Sequence, residues 1–284
     1  MKIAAKILIG AAAAAGAGWT LVQNRQLMTS KYELEMKGLP AGFEGKRILL
    51  LSDLHKKRYG EGFSNLINSC AFLEPDLIFF TGDLFSRDEI NLKPKLVLMQ
   101  RLLKIAPVYY ILGNHETDAP KRSEKLIADL RAEGVCVLRN ESTEISFGED
   151  SITLWGLELP RECYRSDSSL YRKLRPVTAE LVEELLGRPD PDRKNFLLAH
   201  TPLPLKAYSE WGADAVFSGH VHGGVVRLPL IGGILSPERR FFPKYTRGLY
   251  SYNDTKLVLS AGLGKFRLNN PSQIILVTLK CADK

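Results

Sequence analysis

The chain has five histidines, His55, His115, His200, His220 and His222, and each stands in a short polar segment that directly follows an apolar, strand-sized run. Chance would scatter them. Asp53-Leu54-His55 follows residues 48–51, Gly82-Asp83 follows 77–81, and Gly113-Asn114-His115-Glu116 follows 108–112. His200 follows 196–199, and Gly219-His220-Val221-His222 follows 215–218. Ligands of open α/β sheets gather outside the carboxyl ends of the strands, so these loops are expected to converge on one rim. Carboxylate, amide and imidazole groups without a thiolate suit divalent Mn, Fe or Zn. Asp53, His55, Asp83, Asn114, His200, His220 and His222 are the candidate ligands. They outnumber the three protein ligands of a typical catalytic zinc, which keeps one position open. Two ions sharing a carboxylate resolve the excess, and Asp83 is placed to be shared. In extended backbone residues i and i+2 point the same way, so Asp53 with His55, and His220 with His222, are each expected to face one ion. Taken singly, Asp-x-His or Gly-Asp is an ordinary strand-end turn, and a satisfied core histidine accounts for either His115 or His200. Neither covers all five histidines in this order.

Strand-sized apolar runs at 48–51, 77–81, 108–112, 152–157, 196–199, 215–218, 257–260 and 274–279 must carry these loops. Residues 32–36, Tyr-Glu-Leu-Glu-Met, alternate as an edge strand does. Helical patterns fall at 62–73, 93–104 and 122–132, the last preceded by Pro120 and ended by Gly134. Strand–helix alternation in the first half predicts βαβ units, and the second half reads as strand-rich with few helices. The expectation is a layered α/β fold with two sheets.

These motifs resemble those of the calcineurin-like metallophosphoesterase superfamily, from about residue 46 to the C-terminus. Leu51-Ser52-Asp53-Leu54-His55, residues 219–229 (Gly-His-Val-His-Gly-Gly-Val-Val-Arg-Leu-Pro) and Phe241-Phe242-Pro243-Lys244-Tyr245 are similar to the bacterial membrane-anchored branch. The resemblance implies a two-sheet β-sandwich flanked by helices, the four-layer metallophosphoesterase fold, with a dinuclear site at one end. It implies Asp53, His55, Asp83 and His222 as ligands of one ion, and Asp83, Asn114, His200 and His220 as ligands of the other. His115 would contact the phosphate and assist the leaving group, as an imidazolium or by polarising it. The implied activity is metal-dependent hydrolysis of phosphate esters by a hydroxide bridging the two ions. Diesters or pyrophosphates of small or lipid-linked substrates come first, and a phosphomonoesterase second. A metal-stabilised scaffold or sensor is the non-enzymatic alternative.

The net charge of +7 favours anionic partners, but no basic stripe interleaved with aromatics points to nucleic acid. Lys56-Lys57-Arg58, the basic segment 161–175 and Arg227 are candidates to hold a phosphate, and equally read as solvated charge. Phe241, Phe242 and Tyr245 offer a lid or a lipid contact, with packing the expectation for at least two of them. Four scattered cysteines without a CxxC pair predict neither a zinc knuckle nor a disulfide framework. Lys2 and Lys6 precede an uncharged run over residues 7–22, read as a signal anchor over 1–24, with a cleaved signal or a soluble helix as alternatives. A linker over 25–30 and a catalytic domain over 31–284 complete this organisation, with the domain held outside the cytoplasmic membrane.

Overall fold

The computed structural model describes Gly18 and residues 26–165, 174–228, 232–235, 241–264 and 267–282. Strands β1 (Leu27–Met36), β2 (Arg47–Leu51), β3 (Leu77–Phe80), β4 (Val108–Tyr110) and β5 (Cys136–Val137) join the last strand, β14 (Ser272–Cys281), in a six-stranded sheet. Its order is β1-β14-β2-β3-β4-β5. The β2–β5 pairs are parallel, and β14 runs antiparallel to β2. Parallel strands with both faces covered need continuous apolar sequence, which is why β2 and β3 read Arg-Ile-Leu-Leu-Leu and Leu-Ile-Phe-Phe.

The second six-stranded sheet contains β6 (Glu141–Phe147), β7 (Asp150–Leu157), β8 (Asn195–Ala199), β9 (Ala215–Ser218), β12 (Gly248–Tyr252) and β13 (Thr255–Leu259), in the order β12-β13-β9-β8-β7-β6. A small hairpin, β10 (Val226–Leu228) with β11 (Gly232–Leu235), follows the last histidine motif. Alternate residues decide what each sheet faces. Ile48, Leu50 and Phe79 point to the second sheet and meet Ile152, Leu154, Phe196, Phe217 and Val258 in one core. The Phe79 and Phe217 rings meet edge-on at 5.0 Å. Leu49, Leu51, Ile78 and Phe80 point outward and pack with helices Ser64–Phe72, Lys93–Leu103 and Pro120–Ala132. Leu197, Ala199, Val216 and Leu257 do the same with helices Ala179–Leu186 and Leu205–Trp211. The layers are therefore helix, sheet, sheet, helix: the two sheets that the pattern of runs predicts, flanked by helices as the resemblance implies.

Boundaries shift by a few residues for local reasons. Pro120 is the first residue of its helix, where its missing N–H costs nothing, so that helix starts two residues before the periodicity does. β1 already runs from Leu27, so four residues read as linker pair with β14.

The transmembrane anchor is corrected. Among the described residues no helix is long and apolar enough to cross a membrane, and the anchor segment 1–24 lies, but for Gly18, outside them. Its uncharged run of roughly 24 Å as a helix is also shorter than a hydrocarbon core of ~30 Å. Membrane localisation, and the lipid-linked substrates inferred from it, are not carried further.

Candidate metal centre

The loops after β2, β3, β4, β8 and β9 meet where the two sheets end together. Ties between the two sheets fix this: the His220 N–H donates to Asp53 Oδ2 at 3.0 Å, and His200 Nδ1 meets the Thr81 carbonyl at 2.6 Å; within the second sheet the Gly219 N–H donates to the His200 carbonyl at 3.0 Å. All six aspartate and histidine candidates, and His115, are buried. Asp83 lies at the middle, with Oδ2 3.5 Å from His55 Nε2, 3.6 Å from His200 Nε2 and 3.9 Å from His115 Nε2. His222 Nδ1 is 3.7 Å from Asp53 Oδ1. His200 Nε2 is 3.1 Å from Asn114 Oδ1 and 3.2 Å from His220 Nδ1. Ligands held at ~2.1 Å from a shared ion stand about 3–3.5 Å from one another when adjacent and up to about 4.2 Å when opposed, so this spacing is within reach of metal coordination. Three groups gather their ligand atoms within 4.8 Å: Asp53, His55 and His222; Asp53, Asp83 and His200; and His55, Asp83 and His115.

The route to this geometry differs from the extended strand ends expected. Asp53 (φ +54°), His55 (+52°), Asp83 (+52°), His220 (+69°) and His222 (+51°) are all left-handed. Each such residue costs on the order of 1 kcal/mol and persists only where its surroundings over-determine it. The histidines of the last motif consequently part company. His220 turns to His200 and Tyr164, whereas His222 turns to Asp53 and His55.

Three buried groups outside the ligand set hold the strained loops. Lys95, 1% exposed, donates from Nζ to the His55 carbonyl. Arg267, also 1% exposed, donates to the carbonyls of Ala261 (2.6 Å) and Gly264 (3.0 Å), and the Gly264 N–H in turn donates to the Asp53 carbonyl at 2.5 Å. Glu116 accepts the N–H groups of Asp83 and Gly113, both at 2.9 Å, and of Phe85 at 3.2 Å. Space is equally tight: a Cβ on Gly82 (φ +89°) would stand 2.5 Å from the Gly113 nitrogen. Sequence reasoning missed Lys95 and Arg267. Lys95 left a signal, because it shares the buried stripe of its helix with Leu98, Met99 and Leu102. Arg267 left none.

Proton positions follow from these partners. His200 Nδ1 lies 2.6 Å from the Thr81 carbonyl, which can only accept, so Nδ1 carries a proton and Nε2 is the atom aimed at Asp83 and Asn114. That is the orientation of a metal-binding imidazole anchored through its other nitrogen. His115 Nδ1 accepts the Arg87 N–H at 3.1 Å, leaving its neutral ring protonated at Nε2. The imidazolium considered from sequence would set a second N–H against that donor. Burial disfavours charge on His200, but the neighbouring Asp83 and Asp53 raise its pKa to about 9. Burial likewise works against the Asp83 carboxylate, yet His200, His55 and His115 hold it well below the usual range. For Asp53 burial wins and the pKa rises. Burial, then Asp83, lift Glu116 to about 7.

One consequence is measurable. A cation taken up by His200 displaces a proton, so affinity for Mn²⁺ should rise roughly tenfold per pH unit up to about pH 9. Chelator competition at several pH values measures this, and an affinity independent of pH over that range would contradict it.

The remaining sequence candidates divide. Lys56 pairs with Asp88, and Lys57 donates to Ser272 Oγ at 2.8 Å. Arg227 ties down the turn after His222 by donating to the Gly223 carbonyl at 2.9 Å. Only Tyr245 of the aromatic trio is buried; Phe241 and Phe242 are exposed, against the expectation that two would pack. All four cysteines are free thiols.

A family model described as calcineurin-like phosphoesterase matches residues 46–224, more than half of the chain. An uncharacterized metallophosphoesterase of Aquifex aeolicus is 30% identical over 266 residues, covering 89% of this chain and 92% of its own. The uncharacterized metallophosphoesterase YkuE of Bacillus subtilis is 27% identical, covering 92% and 88%. The phosphodiesterase YaeI of Escherichia coli is 26% identical, covering 82% of each chain.

Proposed function

Because this chain belongs to the calcineurin-like phosphoesterase family, we propose that it hydrolyses diesters or pyrophosphates of small phosphorylated substrates at a site holding two divalent cations, Mn, Fe or Zn. The observation that carries this reading is the Asp83 carboxylate, with imidazole nitrogens of His55 and His200 at 3.5 and 3.6 Å on the same oxygen. Asp53, His55, Asp83 and His222 would hold one cation, and Asp83, Asn114, His200 and His220 the other. When bound, the cations supply a nucleophile at neutral pH by acidifying water, and neutralise charge on the phosphoryl oxygens.

The chain's own groups do the rest. His200 keeps Nε2 available because Nδ1 donates to Thr81, and Asn114 is fixed beside it. Lys95, Arg267 and Glu116 hold the left-handed ligand loops, so the site is preorganised. His115 holds a proton on Nε2, on the Asp83 side of its ring, where it can donate to the departing oxygen.

A diester carries one negative charge, which two cations and one neutral donor can balance without a pocket for a dianion. The likeness to the Escherichia coli phosphodiesterase supports the same choice. The full chain should lose turnover of bis(4-nitrophenyl) phosphate in excess chelator and regain it with Mn²⁺. It should also show a kcat/KM for that diester at least tenfold above the value for 4-nitrophenyl phosphate, about 1.4 kcal/mol in transition-state stabilisation. Full turnover with the metals removed would refute the mechanism. A tenfold preference for the monoester would replace the diesterase with a phosphatase.

A further inference from the structure

Two arginines beside the last histidine motif stand together without an acid. Arg227, on β10, donates from Nη1 to the Gly223 carbonyl at 2.9 Å and to Thr246 Oγ1 at 3.3 Å. Arg247 follows that threonine and precedes β12. Its Nη1 is shut away from solvent and has no hydrogen-bond partner among the described residues. Both side chains are half-buried. Burial, and then Arg247, lowers the pKa of Arg227, and burial lowers that of Arg247. Among the described residues no carboxylate offsets this; the groups that favour either charge are the phenols of Tyr32 and Tyr250. A neutral phenol is not a counter-ion. A guanidinium that leaves water normally gains a carboxylate or a full set of acceptors in exchange, so two neighbouring ones without either call for an anion from solution.

The edges of both sheets build the place where they meet. Tyr32 lies on β1 and Tyr250 on β12, the terminal strands of the two sheets, and a Cβ on Gly248 would stand 3.6 Å from the Tyr32 hydroxyl. Tyr250 is spent on the loop that carries Arg247: its hydroxyl accepts the Thr246 N–H at 3.0 Å and donates to the Arg247 carbonyl at 3.3 Å. The connection to the metal centre is short. Asn270 Nδ2 donates to the carbonyls of His222 (2.6 Å) and Gly224 (2.8 Å), and Arg227 takes the carbonyl of Gly223 between them. An anion on Arg227 would therefore sit beside the ligand cluster and outside it.

We propose that Arg227 and Arg247, with the Tyr32 hydroxyl, form a binding site for a phosphate group that is not hydrolysed. Planar guanidinium forks match phosphate oxygens in pairs, and a dianion balances both charges, whereas a carboxylate would balance one. Two sources can supply it: a second phosphate on the substrate, or inorganic phosphate. The site stands without the phosphoesterase reading; its use by a substrate rests on that reading.

Calorimetry of the full, metal-loaded chain with inorganic phosphate reads the site, and Arg247 is the residue to change, because Arg227 also holds the turn beside His222. The unmodified chain should bind two equivalents, one at the cations and one here, and Arg247→Gln should lose one. Arg247→Lys, which keeps the charge without the fork, should bind the second equivalent more weakly than the unmodified chain. In phosphate-free buffer Arg247→Gln should melt no lower than the unmodified chain, since Nη1 has no partner to lose. The source is read by comparing the 4-nitrophenyl ester of thymidine 5′-phosphate with the same ester bearing a 3′-phosphate. A kcat/KM raised roughly tenfold by the 3′-phosphate, and levelled by Arg247→Gln, assigns the site to the substrate. Equal turnover of the two esters, with the Arg247-dependent equivalent present, assigns it to inorganic phosphate. Loss of that equivalent in Arg247→Gln with neither ester hydrolysed by the unmodified chain would sink the phosphoesterase reading and keep the site. The same number of equivalents bound equally tightly by the unmodified chain and both variants would overturn it.

Discussion

Asp83→Ala is expected to empty the site of both cations together and to reduce diester turnover by roughly 10⁴-fold or more, about 5.5 kcal/mol. The size follows from position. One oxygen of Asp83 lies within 4 Å of His55, His115 and His200, while the other accepts the His115 N–H at 2.8 Å. Its removal leaves buried imidazoles facing each other without a counter-charge, and an incoming cation would find too few anions to offset its desolvation. Asn114→Ala is a contrasting case, since Asn114 lies against His200 and belongs only to the second proposed group; one cation should remain. Metal content after desalting, read beside turnover, separates the two variants. If the Asp83 variant kept two equivalents, the shared carboxylate would have to be sought elsewhere.

Much of this site is legible in the amino-acid sequence, because its signal is order along the chain. Buried strands end in polar residues of this kind chiefly where a ligand is to be held, and the strand ends of an α/β sheet bring distant loops together by topology alone. The layers are legible in part: residues 48–51 and 77–80 are short, continuously apolar and bounded by polar and turn residues, as strands covered on both faces are. The backbone at the ligands is not legible. Spacing suggests extended Asp53-x-His55 and His220-x-His222, but the side chains reach the site from left-handed turns, a conformation that Asp and His adopt more often than most residues yet that spacing does not reveal. The supports are hidden more deeply. Lys95 shows only as a charged residue on the apolar stripe of its helix, and Arg267 acts on Asp53 through a glycine far along the chain. Outside regular elements, as at Arg267, burial of a cation against backbone carbonyls leaves no periodic pattern. The ion pairs of Asp118 are a further instance, since Arg87, Arg161 and Arg165 reach it only when two sheets and a short helix are assembled.

His115→Asn is expected to retain both cations and to lose between about 10² and 10⁴ in kcat, the range for deleting one general acid. Asparagine is the informative replacement. Its carbonyl oxygen can take the place of Nδ1 and accept the Arg87 N–H that His115 accepts at 3.1 Å, so the loop keeps its bond. What disappears is the donor at Nε2, 3.9 Å from Asp83 on the side of the ligand cluster. A proton donor to the departing oxygen matters most when that oxygen is basic. The loss should therefore be near the lower end for a 4-nitrophenyl leaving group, which departs without help, and near the upper end for an alkyl one. A residue that merely shaped the loop would slow both esters equally. His115 also shares a 4.8 Å cluster with His55 and Asp83, which allows it to be a ligand instead. Loss of one equivalent of metal from His115→Asn would identify it as such. Equal slowing of both esters with the metals retained would leave His115 a positioning residue and require the proton to come from another group.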